Sequence, residues 1–267
     1  MSVWHAFVLG MLQGLSEFLP ISSSAHLTLA PWLFGWADPG LAFDVALHVG
    51  TLVALVWYFR GEWITLAGAF VTIVRRRRIE TTEEWRVVFL VVATVPALIA
   101  GLALGERAET TFRSPALIAL TLIVMGIVLW ASDRWARSNR PLRAMWWTDA
   151  LWIGVAQAFA LVPGVSRSGA TITSARLLHF DRQSAAVFSF LLSLPVIAGA
   201  AVLKAPEAVR AADSIGALVV GVAAAAASSA IAIAVLLRFV LRHSYGIFSL
   251  YRVLLGIGVL LVIAHGR

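Results

Sequence analysis

Long apolar stretches with few charges recur along the chain, and they constrain its fold more than any other feature. A helix needs about 20 apolar residues to cross the hydrocarbon core of a bilayer. Six stretches of about that length are predicted to be transmembrane helices. They cover residues 43–59, 87–104, 115–131, 184–203, 215–237 and 251–265. The expected fold class is therefore an all-α polytopic membrane protein with six transmembrane helices.

The composition agrees with a membrane protein and disfavours a nucleic-acid partner. Hydrophobic residues make up 60% of the 267 residues and charged residues 13%, with a mean hydropathy of +0.89. So few charges cannot coat a soluble domain of this size. The net charge of +7 comes from arginines clustered between apolar stretches, without a basic stripe interleaved with aromatic residues. We expect the chain to lie in a membrane and to have no nucleic-acid partner.

Two further apolar regions, 3–34 and 147–180, are interrupted near their middle. The first is broken at Pro20, which three serines follow, and the second at Pro163 with Gly164 and a Ser-Arg-Ser run. Non-helical backbone at membrane depth is tolerated only where it is buried in protein or lines a wet cavity. We therefore predict two re-entrant helical hairpins, each of which contributes to a functional site.

The distribution of basic residues predicts an orientation. Alternating crossings leave fifteen basic residues on one side and five on the other, so the first side is expected to be cytoplasmic and both termini outside. Segment 62–74 is too short to cross and ends in four arginines, which favours an interfacial amphipathic helix. The larger set is Arg60, Arg75, Arg76, Arg77, Arg78, Arg86, Arg134, Arg137, Arg140, Arg143, Arg176, Arg182, Arg238, Arg242 and Arg252; the smaller set is Arg107, Arg113, Lys204, Arg210 and Arg267.

A weak internal repeat relates the two broken regions. At an offset of 144 residues, Gln13 falls on Gln157, Gly14 on Ala158, Ser22 on Ser166, Ser24 on Ser168 and Ala25 on Gly169. The predicted orientation makes one region enter from outside and the other from inside, which is the inverted repeat known from transporters. We expect a single membrane domain, 1–267, with a first repeat at 1–131 and a second at 147–267.

The first break carries candidates for chemistry. Gln13 and Glu17 are four residues apart and share a helix face, and a lone carboxylate in apolar sequence is costly unless it is paired, protonated or metal-bound. Ser22 or Ser23 can cap the restarting helix. Ser23 and His26 can then share a face, as a nucleophile and its proton partner require. The alternative is structural: the serines cap, His26 packs in the core, and Glu17 is hydrogen-bonded in the bundle.

The second break predicts an anion site. Arg167 lies among small residues at a helix start, where guanidinium, backbone amides and the helix dipole all favour phosphate oxygens. Alternatively, Arg167 only neutralises Glu17. If the two breaks meet, they form a cradle for a phosphate or diphosphate with an apolar body. The residues expected to bind such a substrate are Ser22, Ser24, Gly164, Ser166, Ser168, Gly169 and Thr171.

A divalent cation, Mg²⁺ or Ca²⁺, is expected as the cofactor. Glu17 and the carbonyl of Gln13 are the candidate ligands, completed by water and phosphate oxygens. Asp44 and His48, again four apart, are expected to support the same cavity together with Gln157. An interfacial Asp44 and a packed His48 are the competing interpretation.

Both motifs resemble the signature motifs of the undecaprenyl-diphosphate phosphatase family of the bacitracin-resistance type. The resemblance covers nearly the whole chain, including its length and span pattern. The motifs are Gln13-Gly14-Leu15-Ser16-Glu17-Phe18-Leu19-Pro20-Ile21-Ser22-Ser23-Ser24-Ala25-His26-Leu27 and Pro163-Gly164-Val165-Ser166-Arg167-Ser168-Gly169-Ala170-Thr171.

The resemblance implies removal of the terminal phosphate from a C55 isoprenyl diphosphate at the outer face of the bacterial plasma membrane, which recycles the carrier for cell-wall synthesis. It further implies a glutamine and glutamate pair at Gln13 and Glu17, a serine nucleophile at Ser23, and functional roles for His26 and Arg167. A transporter that flips a polyprenyl phosphate is the alternative function. A second copy of the chain is a candidate partner.

Overall fold

A computed structural model of the protein describes residues 1–109, 111–136, 140–211 and 214–266, and these residues are predominantly α-helical. The helices in this part of the chain are α1 Val3–Phe18, α2 Ser23–Phe34, α3 Gly40–Tyr58, α4 Arg60–Arg76, α5 Thr82–Glu109, α6 Pro115–Trp135, α7 Trp147–Ala158, α8 Arg167–Leu177, α9 Arg182–Ala211, α10 Ile215–Phe239 and α11 Gly246–Ala264. The predicted all-α class is confirmed.

Five of the six spans that the hydropathy of the sequence predicts are long apolar helices in the described residues. In the described residues, five helices (α5, α6, α9, α10 and α11) are long and apolar enough to cross a membrane. A sixth span is possible if α3 and α4, which bend by 84° where they meet, count as one. Large apolar side chains on their outer faces are widely exposed, such as Leu102 at 75% and Val202 at 77%. Because so much exposed apolar surface is unstable in water, these faces require lipid.

Both broken regions are interrupted where the sequence predicts. Helix α1 ends because Leu19 is extended ahead of Pro20, and the short 3₁₀ turn after α7 ends because Val162 is extended ahead of Pro163. Steric clash with the proline ring disfavours the helical conformation of the residue before it. The chain restarts as α2 and α8, so each region is a pair of helices around a short break.

Close helix packing surrounds the breaks. Helix α1 lies against α10 so tightly that a β-carbon at Gly10 would stand 2.2 Å from the Gly221 carbonyl oxygen. Helix α7 meets α5 in the same way, since a β-carbon at Gly154 would stand 2.5 Å from the Ala93 carbonyl oxygen. Small residues that let helices approach closely are the usual device of helix association in membranes. The packing holds α1 and α7, which lead into the breaks, against long helices.

Two arginines assigned to loops in the sequence analysis are buried instead. Arg176 is 1% exposed and forms an ion pair of 2.8 Å with Asp133, which also binds Arg182. Arg252, in α11, is 0% exposed, and its guanidinium donates hydrogen bonds to the carbonyls of Pro20, Gly164 and Val165. Neither is a loop charge, and the side of the membrane on which each lies stays a prediction. Arg137, Arg267 and the side chains of Arg107, Lys204 and Arg210 lie outside the described residues.

Candidate active site

The first break is shaped by its serines. Ser22 adopts a φ of +76°, which L-residues rarely do, and caps α2 by accepting a hydrogen bond of 3.4 Å from the Ala25 amide. Its hydroxyl also lies 3.2 Å from that of Ser24. Ser23 is thereby the first residue of α2. The cap turns the Ser23 side chain back toward the end of α1.

The second break repeats this geometry 144 residues later. Ser166 has a φ of +71° and accepts a hydrogen bond of 3.0 Å from the Gly169 amide, while its hydroxyl lies 3.2 Å from that of Ser168. Arg167 is the first residue of α8, as Ser23 is of α2. The repeat found in the sequence therefore corresponds to a shared backbone conformation and helix cap at the two breaks.

The two breaks touch each other. The Gly164 amide donates a hydrogen bond of 3.2 Å to the Ser22 hydroxyl, and the Ser168 hydroxyl donates one of 3.2 Å to the Leu19 carbonyl. These contacts join residues almost 150 positions apart in the sequence. They bring the starts of α2 and α8 together, so that both helix N-termini serve one place.

Glu17 lies at the centre of the site where the starts of α2 and α8 meet. It is 5% exposed, and its carboxylate accepts hydrogen bonds of 2.7 Å from Arg167 Nη2, 2.6 Å from the Ser23 hydroxyl and 3.1 Å from Gln13 Nε2. His48 Nε2 lies 3.3 Å from the same carboxylate. The acid, serine and arginine predicted from the sequence are thus in direct contact. Charge neutralisation by Arg167 explains how a carboxylate persists in an apolar bundle.

A cavity of about 200 Å³ opens beside these side chains. One part of its wall is polar and the other apolar, so it can receive a charged headgroup joined to an apolar body. Arg167 is held at this wall by a second hydrogen bond, 2.8 Å from Nη1 to the Ser189 carbonyl. The polar lining is Glu17, Ser23, Ser24, His48, Gln157, Ser166 and Arg167; the apolar lining is Val45, Ala97, Ala160, Leu161, Val196, Ile197 and Ala200.

Comparison with known proteins agrees with this geometry. The family model described as "Bacitracin resistance protein BacA" matches residues 6–258, which include both breaks. The chain belongs to the BacA family. Three similar relatives carry the name undecaprenyl-diphosphatase: one from Gemmatimonas aurantiaca, 57% identical over 99% of both chains; one from Pelotomaculum thermopropionicum, 47% identical over 99% of this chain and 98% of the relative; and one from Moorella thermoacetica, 48% identical over 96% and 95%.

His26 of this BacA-family chain does not contact the Ser23 hydroxyl as the sequence spacing suggested. Its Nδ1 lies 2.7 Å from the Ser22 carbonyl oxygen, and its Nε2 lies 2.7 Å from the Tyr251 hydroxyl. The two rings are nearly parallel, with their centroids 5.7 Å apart. Ser23 and His26 do lie on the same helix, α2, as the spacing predicts. The His26 ring, however, is hydrogen-bonded to Tyr251 of α11. The nearest partner of Ser23 is Glu17.

His48 and Asp44 separate in space although both lie on α3. The His48 ring is fixed by its Nδ1, 2.7 Å from the Asp44 carbonyl oxygen, and its Nε2 points at Glu17. The Asp44 carboxylate instead pairs with Arg113 at 3.1 Å. His48 is therefore part of the site itself, whereas Asp44 supports it through the backbone. Gln157 lines the cavity and donates to the Ala93 carbonyl at 3.3 Å.

Several residues predicted to bind substrate are buried in the scaffold of the breaks. Thr171, for example, bonds the Ser189 hydroxyl at 2.7 Å and is 0% exposed. The residues so placed are Ser22, Gly164, Ser168, Gly169 and Thr171, whereas Ser24 and Ser166 reach the cavity wall. The first group shapes the two helix starts, and the second group faces the cavity.

The cation ligands expected from the sequence are adjacent. Gln13 donates its amide hydrogen to Glu17, while its Oε1 is buried with no hydrogen-bond partner among the described residues. An unpartnered buried carbonyl oxygen beside a carboxylate is a donor set that a hard cation accepts. The described residues hold no cluster of three or more His, Asp or Glu ligands, so a cation at this point would take most of its coordination shell from water and phosphate.

Sequence reasoning missed two residues of α11. Tyr251 holds His26, and the adjacent Arg252 donates hydrogen bonds of 3.2 Å to the Pro20 carbonyl, 2.7 Å to that of Gly164 and 3.0 Å to that of Val165. A signal for Arg252 existed in the sequence. An arginine within an apolar run is a functional candidate by default, but the positive-inside tally counted it as a loop charge.

Proposed function

We propose that this chain is an integral-membrane phosphatase that hydrolyses undecaprenyl diphosphate to undecaprenyl phosphate and inorganic phosphate, and so recycles the lipid carrier for cell-wall synthesis. The observation that carries the proposal is the contact of Ser23, Glu17 and Arg167 at the wall of one half-polar, half-apolar cavity. The name that its relatives share, undecaprenyl-diphosphatase, supports the same reaction.

In this proposal, the diphosphate binds at the cavity wall between the starts of α2 and α8. Arg167 supplies a fixed positive charge with a planar fork that matches phosphate oxygens. The first amides of both helices add donors, and the two helix dipoles add partial positive charge. From there the isoprenyl chain lies along the apolar wall of the cavity, which includes Ala97 of α5 and Ile197 of α9. Neutralising the developing charge on phosphate is the main source of rate enhancement in such reactions.

Ser23 then attacks the terminal phosphorus through Oγ. Its proton passes to the Glu17 and His48 pair, the phosphoanhydride P–O bond breaks, and undecaprenyl phosphate departs. Water hydrolyses the phosphoserine, and the proton returns to Ser23. In the second form of the mechanism, Ser23 only orients an attacking water. Glu17 takes the role expected for His26 because the Ser23 hydroxyl donates to it at 2.6 Å; His26 orients α2 through Tyr251.

A divalent cation completes the proposed site. Glu17 and the unpartnered Gln13 oxygen would hold it, and it would supply charge neutralisation for the diphosphate. A chelator is expected to suppress phosphate release, and Mg²⁺ or Ca²⁺ to restore it. Gln13→Ala should raise the cation concentration for half-maximal activity by about tenfold, since one oxygen ligand is lost. Full activity in the chelator would contradict this part of the proposal.

The membrane placement is proposed from the charge distribution. Repeats 1–131 and 147–267 lie in the bacterial inner membrane with opposite topology, so that the hairpin at 3–34 enters from outside and the hairpin at 147–180 from inside. The site where the hairpins meet opens to the periplasmic side, and both termini are outside. Since the chain has no cysteine, single cysteines report sidedness directly. An impermeant maleimide should label Ser2→Cys in intact spheroplasts and Arg242→Cys only after permeabilisation; the reverse pattern would refute the orientation. Light scattering in detergent tests a homodimer.

Phosphate release by the purified protein in detergent tests the proposed reaction. Undecaprenyl diphosphate should yield inorganic phosphate without a membrane gradient, whereas a flippase would yield none. Ser23→Ala should reduce turnover by at least about 10³-fold, because the attacking or orienting hydroxyl is lost. Ser244→Ala, at an exposed serine, is the matched control. Labelled phosphate trapped on Ser23 would distinguish covalent attack from activated water. Wild-type turnover in Ser23→Ala would refute the role of this serine.

A further inference from the structure

Arg252 occupies an unusual position for a charged side chain. It lies in α11, is 0% exposed, and has no carboxylate within 4.0 Å in the described part of the chain. A buried guanidinium without a counter-ion is costly, so its retention calls for a compensating role. Neither the family signature motifs nor the proposed mechanism uses it.

The hydrogen bonds of Arg252 identify that role. Nη1 donates to the Pro20 carbonyl of the first break, and Nη2 donates to the Gly164 and Val165 carbonyls of the second. Carbonyls at a chain break inside an apolar bundle have no helical partner and must be satisfied by other donors. A single planar guanidinium thus satisfies both breaks at once, and its fixed fork sets their separation.

The clamped carbonyls lie just before two strained residues. Ser22 and Ser166 cap α2 and α8 with φ values of +76° and +71°. Such conformations persist only where the surroundings hold them. The residues that follow, Ser23 and Arg167, meet at Glu17. A clamp on the preceding carbonyls therefore fixes the direction in which these two side chains leave the backbone.

Two glycines make room for the Arg252 side chain. A β-carbon at Gly169 would stand 2.6 Å from Arg252 Nη1, and one at Gly126 would stand 3.1 Å from the Arg252 β-carbon. Gly169 is thus close to the clamp, although the sequence suggested a role in substrate binding. The adjacent Tyr251 fixes His26 of α2 from the same helix turn.

We propose that Arg252 is a positioning residue: its guanidinium clamps the two breaks together and so sets where Ser23 and Arg167 meet at Glu17. Arg252 acts through these residues and does not touch the substrate. The consequence for catalysis rests on the proposed phosphatase function, whereas the consequence for the two breaks does not.

Amide hydrogen exchange tests the clamp without using activity. In Arg252→Gln, segments 19–24 and 164–169 should both exchange at least about tenfold faster than in the wild type, since local opening governs exchange. Arg176→Gln is the control for loss of a buried arginine, because Asp133 keeps its bond to Arg182. It should leave both segments at wild-type rates. Unchanged exchange at the breaks in Arg252→Gln would overturn the inference.

Phosphate release gives the second readout. Arg252→Gln should lower kcat/KM by about 10²-fold, and Arg252→Lys by about tenfold, since an ammonium keeps the charge but cannot span both breaks. Arg176→Gln should keep wild-type kcat/KM. If the wild type itself releases no phosphate, the proposed function fails while the exchange result still stands. Wild-type kcat/KM in Arg252→Gln would refute the positioning role.

A third variant covers the case in which Arg252→Gln does not fold. Gly169→Ala keeps the guanidinium but pushes a methyl group against it, and it should accelerate exchange in both breaks. Gly68→Ala, where a β-carbon meets nothing within 4 Å, is the control and should not. Wild-type exchange in Gly169→Ala would contradict the clamp.

Discussion

The two breaks share a backbone but differ in the chemistry they carry. Ser22 and Ser166 cap their helices with similar positive φ values and the same hydrogen-bond pattern. The first break presents a carboxylate and a hydroxyl, Glu17 and Ser23, while the second presents the guanidinium of Arg167. The same backbone geometry thus presents a negative charge from one break and a positive charge from the other at a single site. Neither break contains this site alone.

The breaks also differ in how they are supported. The second contains Gly164, whose φ of +91° only glycine adopts without strain, and Thr121 of α6 bonds the neighbouring Pro163 carbonyl at 2.8 Å. Arg252 of α11 bonds carbonyls of both breaks, but Tyr251 of the same helix holds only the first, through His26. We therefore expect substitutions at the two breaks to affect catalysis and stability differently.

The largest expected effect is at Arg167, the positively charged side chain of the second break. Arg167→Ala should reduce phosphate release by about 10³-fold, because the charge that binds the diphosphate is removed and Glu17 loses its partner. Kinetics with the purified protein measure this loss. Arg242→Ala, at an exposed arginine, should behave as the wild type. A variant Arg167→Ala with more than about a tenth of wild-type turnover would show that the second break only supports the first.

A smaller effect is expected when the two histidines near the first break are compared. His48→Ala should reduce turnover by about 10²-fold, since it removes the group that shares the proton of Glu17. His26→Ala should cost only about tenfold, and Tyr251→Phe added to it should cost no more, if His26 acts through their bond. The opposite order of losses would return the role of proton partner to His26.

The smallest effect concerns backbone strain at the second break. Gly164→Ala should lower the free energy of unfolding by about 2 kcal/mol or more, because a β-carbon is strained at its φ and would stand 2.0 Å from Thr121 Oγ1. Gly35→Ala shares a positive φ but meets nothing within 4 Å, so about 1 kcal/mol is expected. Thermal or denaturant unfolding in detergent measures both. Equal losses would mean that the contact with Thr121 contributes nothing.

Much of the fold could be predicted because its main determinants are local in the sequence. Apolar length locates the long helices, and Pro20 and Pro163 locate the breaks, since both effects are local in sequence. Helix ends were less predictable: α11 begins at Gly246 and α5 extends to Glu109, several residues outside the apolar windows. Polar residues at the ends of a helix do not raise the mean hydropathy of the sequence, so apolar length does not reveal that they are helical.

The site could be predicted in part. Glu17, Ser23 and Arg167 were identifiable because polar groups in apolar sequence require partners. The engagement of His26 by Tyr251 joins residues 225 positions apart, and the clamp by Arg252 spans 232 positions to Pro20. No spacing rule reaches that far, so these contacts could only follow from the tertiary arrangement.

A double-mutant cycle across the breaks tests the central claim, that they form one site, most directly. Ser23→Ala alone should cost at least about 10³-fold in phosphate release, and Arg167→Lys about 10²-fold. If both act on one phosphate through Glu17, the double variant should be little worse than Ser23→Ala, because residues of one catalytic unit are strongly non-additive. A double variant whose loss equals the product of the two single losses would show that the breaks act independently and would contradict the account.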